Sequence, residues 1–175
     1  MGWKEVKPGK VKSIIRRDLP EKIINELFTD KQFLVNSDKN ASISMVSKEV
    51  FDCFNKIKAK AIQPLFIGCS VCDTQDLKKA RLNLQFATKV SVFELPKAFI
   101  NHKAEQLFLY SRDVWSNSII KVERAPARQK IIFVFNEEEI FLGLGFALTD
   151  ELIEKGRKLV IKNVIDIGSY LRIEK

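Results

Sequence analysis

Residues 130–148 read KIIFVFNEEEIFLGLGFAL. Ile131, Ile132, Phe133, Val134 and Phe135 form a β-branched and aromatic run, Glu137, Glu138 and Glu139 interrupt it, and a second apolar run begins at Ile140. Runs of this length and composition, parted by a polar turn, predict two strands over 130–136 and 140–148. Gly143 and Gly145 precede no lysine and open no helix, so they form neither a phosphate-binding loop nor a dinucleotide fingerprint. Inside a strand they predict a bulge or a close backbone approach. Around this pair the pattern predicts a short helix over 103–110, a strand over 118–123, a charged loop over 149–158, a short strand over 159–161 and a short helix or turn over 166–172. A region built mostly of short strands closes more readily into a small barrel than into a helix bundle.

Upstream the style is different. Asp18 is placed to cap a helix in which Pro20 occupies the first turn and Ile23, Ile24, Leu27 and Phe28 share a face. Strands over 32–35 and 41–46 follow, joined by the turn-rich residues 36–40. Ser47 caps a second helix with Val50, Phe51, Phe54 and Ile57 on one side. Three β-rich runs come next, 65–73, 81–87 and 90–95; in the second, Leu82, Leu84 and Phe86 alternate with Arg81, Asn83 and Gln85, as in a sheet buried on one face. Pro96 lacks an amide to donate and ends the last run. The expected fold is α+β: an N-terminal mixed α/β domain with an antiparallel sheet over 1–96, then a small β pseudo-barrel over 97–175.

The chain has 175 residues, net charge +8 and pI ≈ 9.4. No run approaches the roughly 18 apolar residues of a membrane span, so a membrane partner is not expected. The N-terminus shows no apolar segment behind its charges, and the expectation is a protein that stays inside the cell, with three Cys as free and mostly buried thiols. The basic excess makes a polyanion the first partner to consider. Residues 97–136 hold seven Lys/Arg against three acids, and Lys155, Arg157, Lys158 and Lys162 add four within eight positions. Such groups suit phosphate contacts, which supply affinity without sequence preference; a solvated charged surface has the same composition.

Enzyme chemistry finds little material. His102 is the one histidine, beside Lys103 in what reads as a solvated turn, which excludes a two-His zinc site. Cys69 and Cys72 have C-x-x-C spacing, but a zinc site wants a second pair and only Cys53 remains, while alternation along a strand sends the two to opposite faces. No catalytic residue, metal ligand or cofactor is expected.

Three stretches in order carry more specific information: Ala104-Glu105-Gln106-x-Phe108-Leu109-Tyr110, Ile140-x-Leu142-Gly143-x-Gly145, and Asp166-Ile167-Gly168-x-Tyr170-Leu171-Arg172. Together they resemble the PUA domain of the large-ribosomal-subunit biogenesis factors of the nuclear-import-protein-seven type. Val46-Ser47-Lys48-Glu49-Val50 and Leu65-x-Ile67-Gly68 are similar to the α/β domain that precedes it. The resemblance implies a non-catalytic protein that binds single-stranded segments of precursor rRNA and meets other assembly or RNA-processing proteins, as a monomer. It also implies a basic RNA-contact cluster before the last strand, where Arg157, Lys158 and Lys162 stand, with Lys103, Arg112, Lys121, Arg124 and Arg128 as further candidates. In the first motif Ser111 stands where the family usually has glycine, and Ile165 where archaeal members carry a basic residue. Lys-rich, Gln-poor usage favours an archaeal source and hence a cytoplasmic protein; a eukaryotic member would be nucleolar or nuclear. Two other readings remain open: an RNA-targeting subunit or accessory of an RNA-modifying enzyme, and a protein-interaction module.

Overall fold

The computed structural model describes residues 2–36, 42–60, 62, 64–73, 81–153 and 156–172, the side chain of Leu171 excepted. Lys155 and most of the 36–40 turn lie outside these residues. The fold is mixed α+β, in two compact units, Met1–Phe86 and Ala87–Lys175; the sequence places a boundary at Pro96.

The first unit is a five-stranded sheet in the order β1(Trp3–Val6), β2(Lys31–Asn36), β3(Ser42–Ser47), β4(Cys69–Asp73), β5(Arg81–Leu82), antiparallel throughout. Helices α1(Pro8–Ile15) and α2(Glu21–Phe28) precede β2, and α3(Lys48–Lys58) follows β3. Successive residues of β2 point to opposite faces, and both faces are covered. Phe33 meets Phe28 of α2 at 4.8 Å between ring centroids, while Leu34 joins Trp3, Val46 and Phe54 of α3 in a separate buried cluster. The expected half-buried sheet is therefore corrected to one covered on both sides. The missing layer is α1, whose buried Val11 and Ile15 are hidden in sequence among Lys7, Lys10, Lys12 and Arg16.

Local details confirm some readings and correct others. Ser47 Oγ accepts the Val50 N–H and caps α3, but Val50 itself is exposed. Asp18 caps nothing: α2 begins after Pro20 without a side-chain cap, and the Asp18 carboxylate takes the Arg17 guanidinium at 3.1 Å instead. The strand expected over 65–73 starts only at Cys69, leaving Leu65 and Phe66 86% and 90% exposed. Residues 81–87 do not form one strand, for after β5 the chain turns into α4(Leu84–Val90), and Val90 ends that helix rather than opening a strand. The cause is Asn83, whose Oδ1 accepts the Gln85 N–H while its Nδ2 donates to Asp73. Leu84, Ala87 and Val90 are then buried at helical spacing.

β4 also corrects the cysteine reading. A register shift against β3 leaves Cys69 opposite Met45 and Cys72 opposite Ile43, two positions apart on β3, so the cysteines share a face. Cys72 is buried, and burial, reinforced by the charge of Asp73, pushes its thiol up to about 12. Cys53 is exposed on α3 rather than buried, because it lies beside Asp52 on the outward side of the helix.

The second unit holds a six-stranded sheet in the order β7(Val114–Trp115), β11(Leu159–Asp166), β10(Phe141–Ala147), β9(Ile131–Phe135), β6(Lys97–Ile100), β8(Ile119–Glu123). All pairings are antiparallel except β6 with β9. The two edge strands, β7 and β8, are joined by the three-residue 3-10 turn Ser116–Ser118. Three residues reach at most about 10 Å. The sheet must curl until its edges nearly meet, which makes the half-barrel. Its interior is filled by Ile100, Phe108, Ile132, Val134, Leu142 and Val160, among others. Helix α5(His102–Phe108), capped by Asn101 through the Ala104 N–H at 2.9 Å, and the one-turn α6(Ser169–Arg172) complete it. The last strand runs through eight residues to Asp166, not only over 159–161, because polar Lys162 and Asn163 pair with Phe146 and Gly145 of β10 and the ladder resumes at Ile165 after a register shift.

The three quoted motifs build this unit from within. Glu105 accepts from Asn136 Nδ2 at 3.0 Å, and Asn136 Oδ1 accepts the Glu138 and Ile140 amides that shape the acidic turn. A Cβ on Gly143 would lie 2.3 Å from the Ile165 carbonyl oxygen, so the close approach expected of the glycines is present, with ladder shifts on both sides of β10. Asp166, 1% exposed, receives Arg172 Nη2 at 3.0 Å, Ser111 Oγ at 3.2 Å and Asn163 Nδ2 at 3.3 Å. Arg172 Nη1 donates to the Leu109 carbonyl, and a Cβ on Gly168 would meet that carbonyl at 2.1 Å.

Two predictions follow from these contacts. Arg172→Ala strands a buried carboxylate, and should lower unfolding stability in a denaturant titration by about 3–5 kcal/mol; a change below about 0.5 kcal/mol would contradict the account. In the native protein a thiol reagent should label Cys53 first and Cys72 only on unfolding, since the thiolate is the reactive form; labelling Cys72 as fast as Cys53 would contradict its burial.

Candidate nucleic-acid interface

Among the described residues no three His, Cys, Asp or Glu side chains gather as a metal site, and none of the described helices is long and apolar enough to cross a membrane. His102 begins α5 instead of lying in a turn. Its ring is exposed, 3.3 Å from Glu105 Oε2 and 3.2 Å from Gln106 Nε2. Both polar neighbours lie on the same helix, three and four residues on, as in an ordinary helix-surface contact.

The eight basic residues singled out from sequence fall into different electrostatic situations. Lys121, on edge strand β8, is committed: it pairs with Glu123, lies 3.8 Å from Glu139 and sits over the Phe99 ring at 4.7 Å. Glu123 raises the Lys121 ammonium above its ordinary range, and Lys121 in turn holds the Glu123 carboxyl below its own. Arg124 pairs with Glu94. A phosphate would have to displace these carboxylates. By contrast, Arg112, Arg157, Lys162, Lys103 and Arg128 have no carboxylate partner for their side chains among the described residues, and all five are exposed.

Three of those five lie along the other edge, with Lys158. Arg157 and Lys158 enter β11, and Lys162 is exposed further along it, opposite Phe146 of β10. About 3.4 Å per residue puts Lys162 roughly 10 Å beyond the start of the strand. Arg112 precedes β7, which pairs with β11 through Leu159 opposite Trp115 and Ile161 opposite Val114. Asp113 Oδ1 fixes the same corner by accepting the Asn163 N–H at 2.8 Å. Ser116, 3% exposed, is bound to the entry of β11 three times: its N–H donates to the Lys158 carbonyl at 2.8 Å, its Oγ donates to the Gly156 carbonyl at 2.8 Å, and it accepts the Lys158 N–H at 3.2 Å. Lys103, on α5, and Arg128, whose N–H donates to Asp150, belong to other parts of the surface.

Sequence reading missed Trp115. It is 38% exposed, and the Arg157 guanidinium carbon lies 5.1 Å from its ring centroid. An aromatic residue between Asp113 and Ser116, in a segment otherwise polar apart from Val114, is the signal that marked it. The fork of β7 and β11 thus gathers flexible cations and one indole on a clamped backbone. Such an arrangement can hold phosphate oxygens and a planar group together.

Comparison with known proteins places the fold. Residues 96–175 match the UPF0113 PUA domain. A UPF0113 protein of Archaeoglobus fulgidus is 37% identical over 84 residues, which cover 45% of this chain and 47% of that protein; the match spans about half of its length. Among solved structures, a hypothetical protein of Pyrococcus horikoshii is similar at a TM-score of 0.66 with 14% identity, covering 94% of this chain and 93% of the other. A conserved PUA domain protein of Thermoplasma acidophilum is similar at a TM-score of 0.61 with 13% identity, covering 97% of each chain. The two structural similarities extend through both units as likeness of fold. Residues 96–175, which hold the half-barrel, thus carry the match to the UPF0113 PUA domain, and the half-barrel has the fold of a PUA domain.

Proposed function

We propose that this chain is a non-catalytic RNA-binding protein that assists maturation of large-subunit precursor rRNA, holding single-stranded segments along the β7–β11 edge of its PUA domain. The observation that carries the reading is electrostatic. Arg112, Arg157 and Lys162 line that edge without a carboxylate partner among the described residues, while Lys121 and Arg124 on the opposite edge are neutralised by glutamates. Unpaired cations gain most from phosphate, because they give up no ion pair and release counterions from the nucleic acid. The PUA assignment supports RNA as the polyanion, and the net charge of +8 supports binding of that sign. Leu65 and Phe66, exposed on the first unit, support contact with other assembly proteins, since adjacent apolar side chains left in water favour a partner surface. An archaeal, cytoplasmic setting agrees with the relative from Archaeoglobus fulgidus.

Binding should be strongly salt-dependent with modest sequence preference. Changing Arg157, Lys158 and Lys162 together to Ala should weaken single-stranded RNA binding across sequences, each lost phosphate contact reducing the log–log salt slope by about 0.7 to 0.9. Changing Lys121 and Arg124 to Ala should have a smaller effect on both. Titrations at several salt concentrations decide the matter: parental affinity in the triple variant would move the site elsewhere. In cells, cross-linking with sequencing of bound RNA should recover large-subunit rRNA, and recovery of no RNA would favour a protein-interaction module.

A further inference from the structure

We propose that Trp115 is a stacking platform for one unpaired base, so that the β7–β11 edge selects single-stranded RNA over duplex. The inference rests on the RNA-binding reading above and names the group that the edge recognises beyond phosphate.

Trp115 is unlike the other residues of its strand. Val114 beside it is 1% exposed, and Ser116 after it is buried and clamped to the entry of β11. The backbone under the indole is therefore held on both sides, yet 38% of the residue is in water and its Nε1–H has no partner among the described residues. Trp3, the other tryptophan, shows the alternative: it is 5% exposed and its Nε1–H donates to the Pro64 carbonyl at 2.8 Å. A large indole that is fixed in place and left open costs little further ordering when a ligand arrives.

The surroundings specify the ligand. Arg157 lies over the Trp115 ring at 5.1 Å, and its guanidinium has no carboxylate partner among the described residues. A base can extend this column from the indole or from the guanidinium plane, both of which stack on nucleobases. Arg112 and Lys162 lie together toward the Asp113–Asn163 end of the strand pair, where their positive charge suits the phosphates that lead away from a stacked base. Paired bases within a helix keep their faces against one another, so only an unpaired base can use the site.

Stacking and phosphate contacts respond differently to salt, which separates this inference from the reading it rests on. The full chain is titrated with short fluorescent oligouridylate and oligoadenylate, with an abasic oligomer of equal phosphate count, and with duplex RNA. Trp115→Ala should lose about 5- to 100-fold in affinity for the base-bearing oligomers, with the log–log salt slope unchanged and binding to the abasic oligomer unaltered. Trp115→Phe should keep most of the affinity, and Trp115→Leu, which retains apolar bulk for packing, should behave as Trp115→Ala. Affinity in Trp115→Ala equal to that of the parent overturns the proposal. So does an equal loss for base-bearing and abasic oligomers, which would mean that Trp115 only positions Arg157. If the parent binds none of the RNAs, the RNA-binding reading fails and the platform with it.

Discussion

The Asp166 carboxylate, removed from water at the end of the last strand, is the constraint on which the second unit depends. A buried charge is tolerated only when it is paired and its oxygens are bonded. Here the partners come from three places in the chain: Arg172 from α6, which also donates to the Leu109 carbonyl, Ser111 from the turn after α5, and Asn163 from β11. Satisfying one carboxylate ties the end of α5 to both ends of the C-terminal segment. Ser111 illustrates the economy of this arrangement. Its φ of 60° is a left-handed conformation that favours glycine, and its hydroxyl offsets that cost by donating to Asp166 and accepting from Arg172 Nη2 at 2.7 Å. Serine is thus accommodated at this left-handed position by the same network.

From this lock the position of the candidate interface follows. Asp166 anchors one end of β11 and Ser116 holds the other, by its three bonds to residues 156 and 158. Between these anchors, Gly143 lets β10 approach Ile165 and Asp166 closely. Lys162 on β11, and Arg157 and Lys158 just before it, therefore stand on backbone anchored at both ends, with Trp115 opposite Leu159. Cations on a rigid strand bind a flexible polyanion with less ordering cost than cations on a loose loop.

Much of this was legible in sequence where the signal is local. The 131–147 hairpin, the strand glycines and the Ser47 cap depend on neighbours a few residues apart, and the motifs around Glu105, Gly143 and Asp166 identified the half-barrel. What failed was governed by tertiary partners. Leu82, Leu84 and Phe86 alternate like a strand, but Asn83 breaks the alternation through its bond to Asp73, distant in sequence. The helix α1 is masked by lysines, and the second layer on the sheet it covers could not be inferred without it. For the site, charge density in sequence treated Lys121 and Arg157 alike. Only folding brings Glu139 near Lys121 and Glu94 onto Arg124, and so separates neutralised cations from available ones. Trp115 escaped for the same reason: exposure of a lone aromatic is decided by what packs over it.

The central claim is that RNA lies along the β7–β11 edge. The direct measurement is photo-cross-linking of the full chain to RNA containing 4-thiouridine, followed by mass spectrometric mapping of the cross-linked peptides. The account predicts cross-links within residues 110–116 and 156–164, with Trp115 among the modified residues. Cross-links confined to β8 around Lys121 and Arg124, or to residues 1–86, would contradict it.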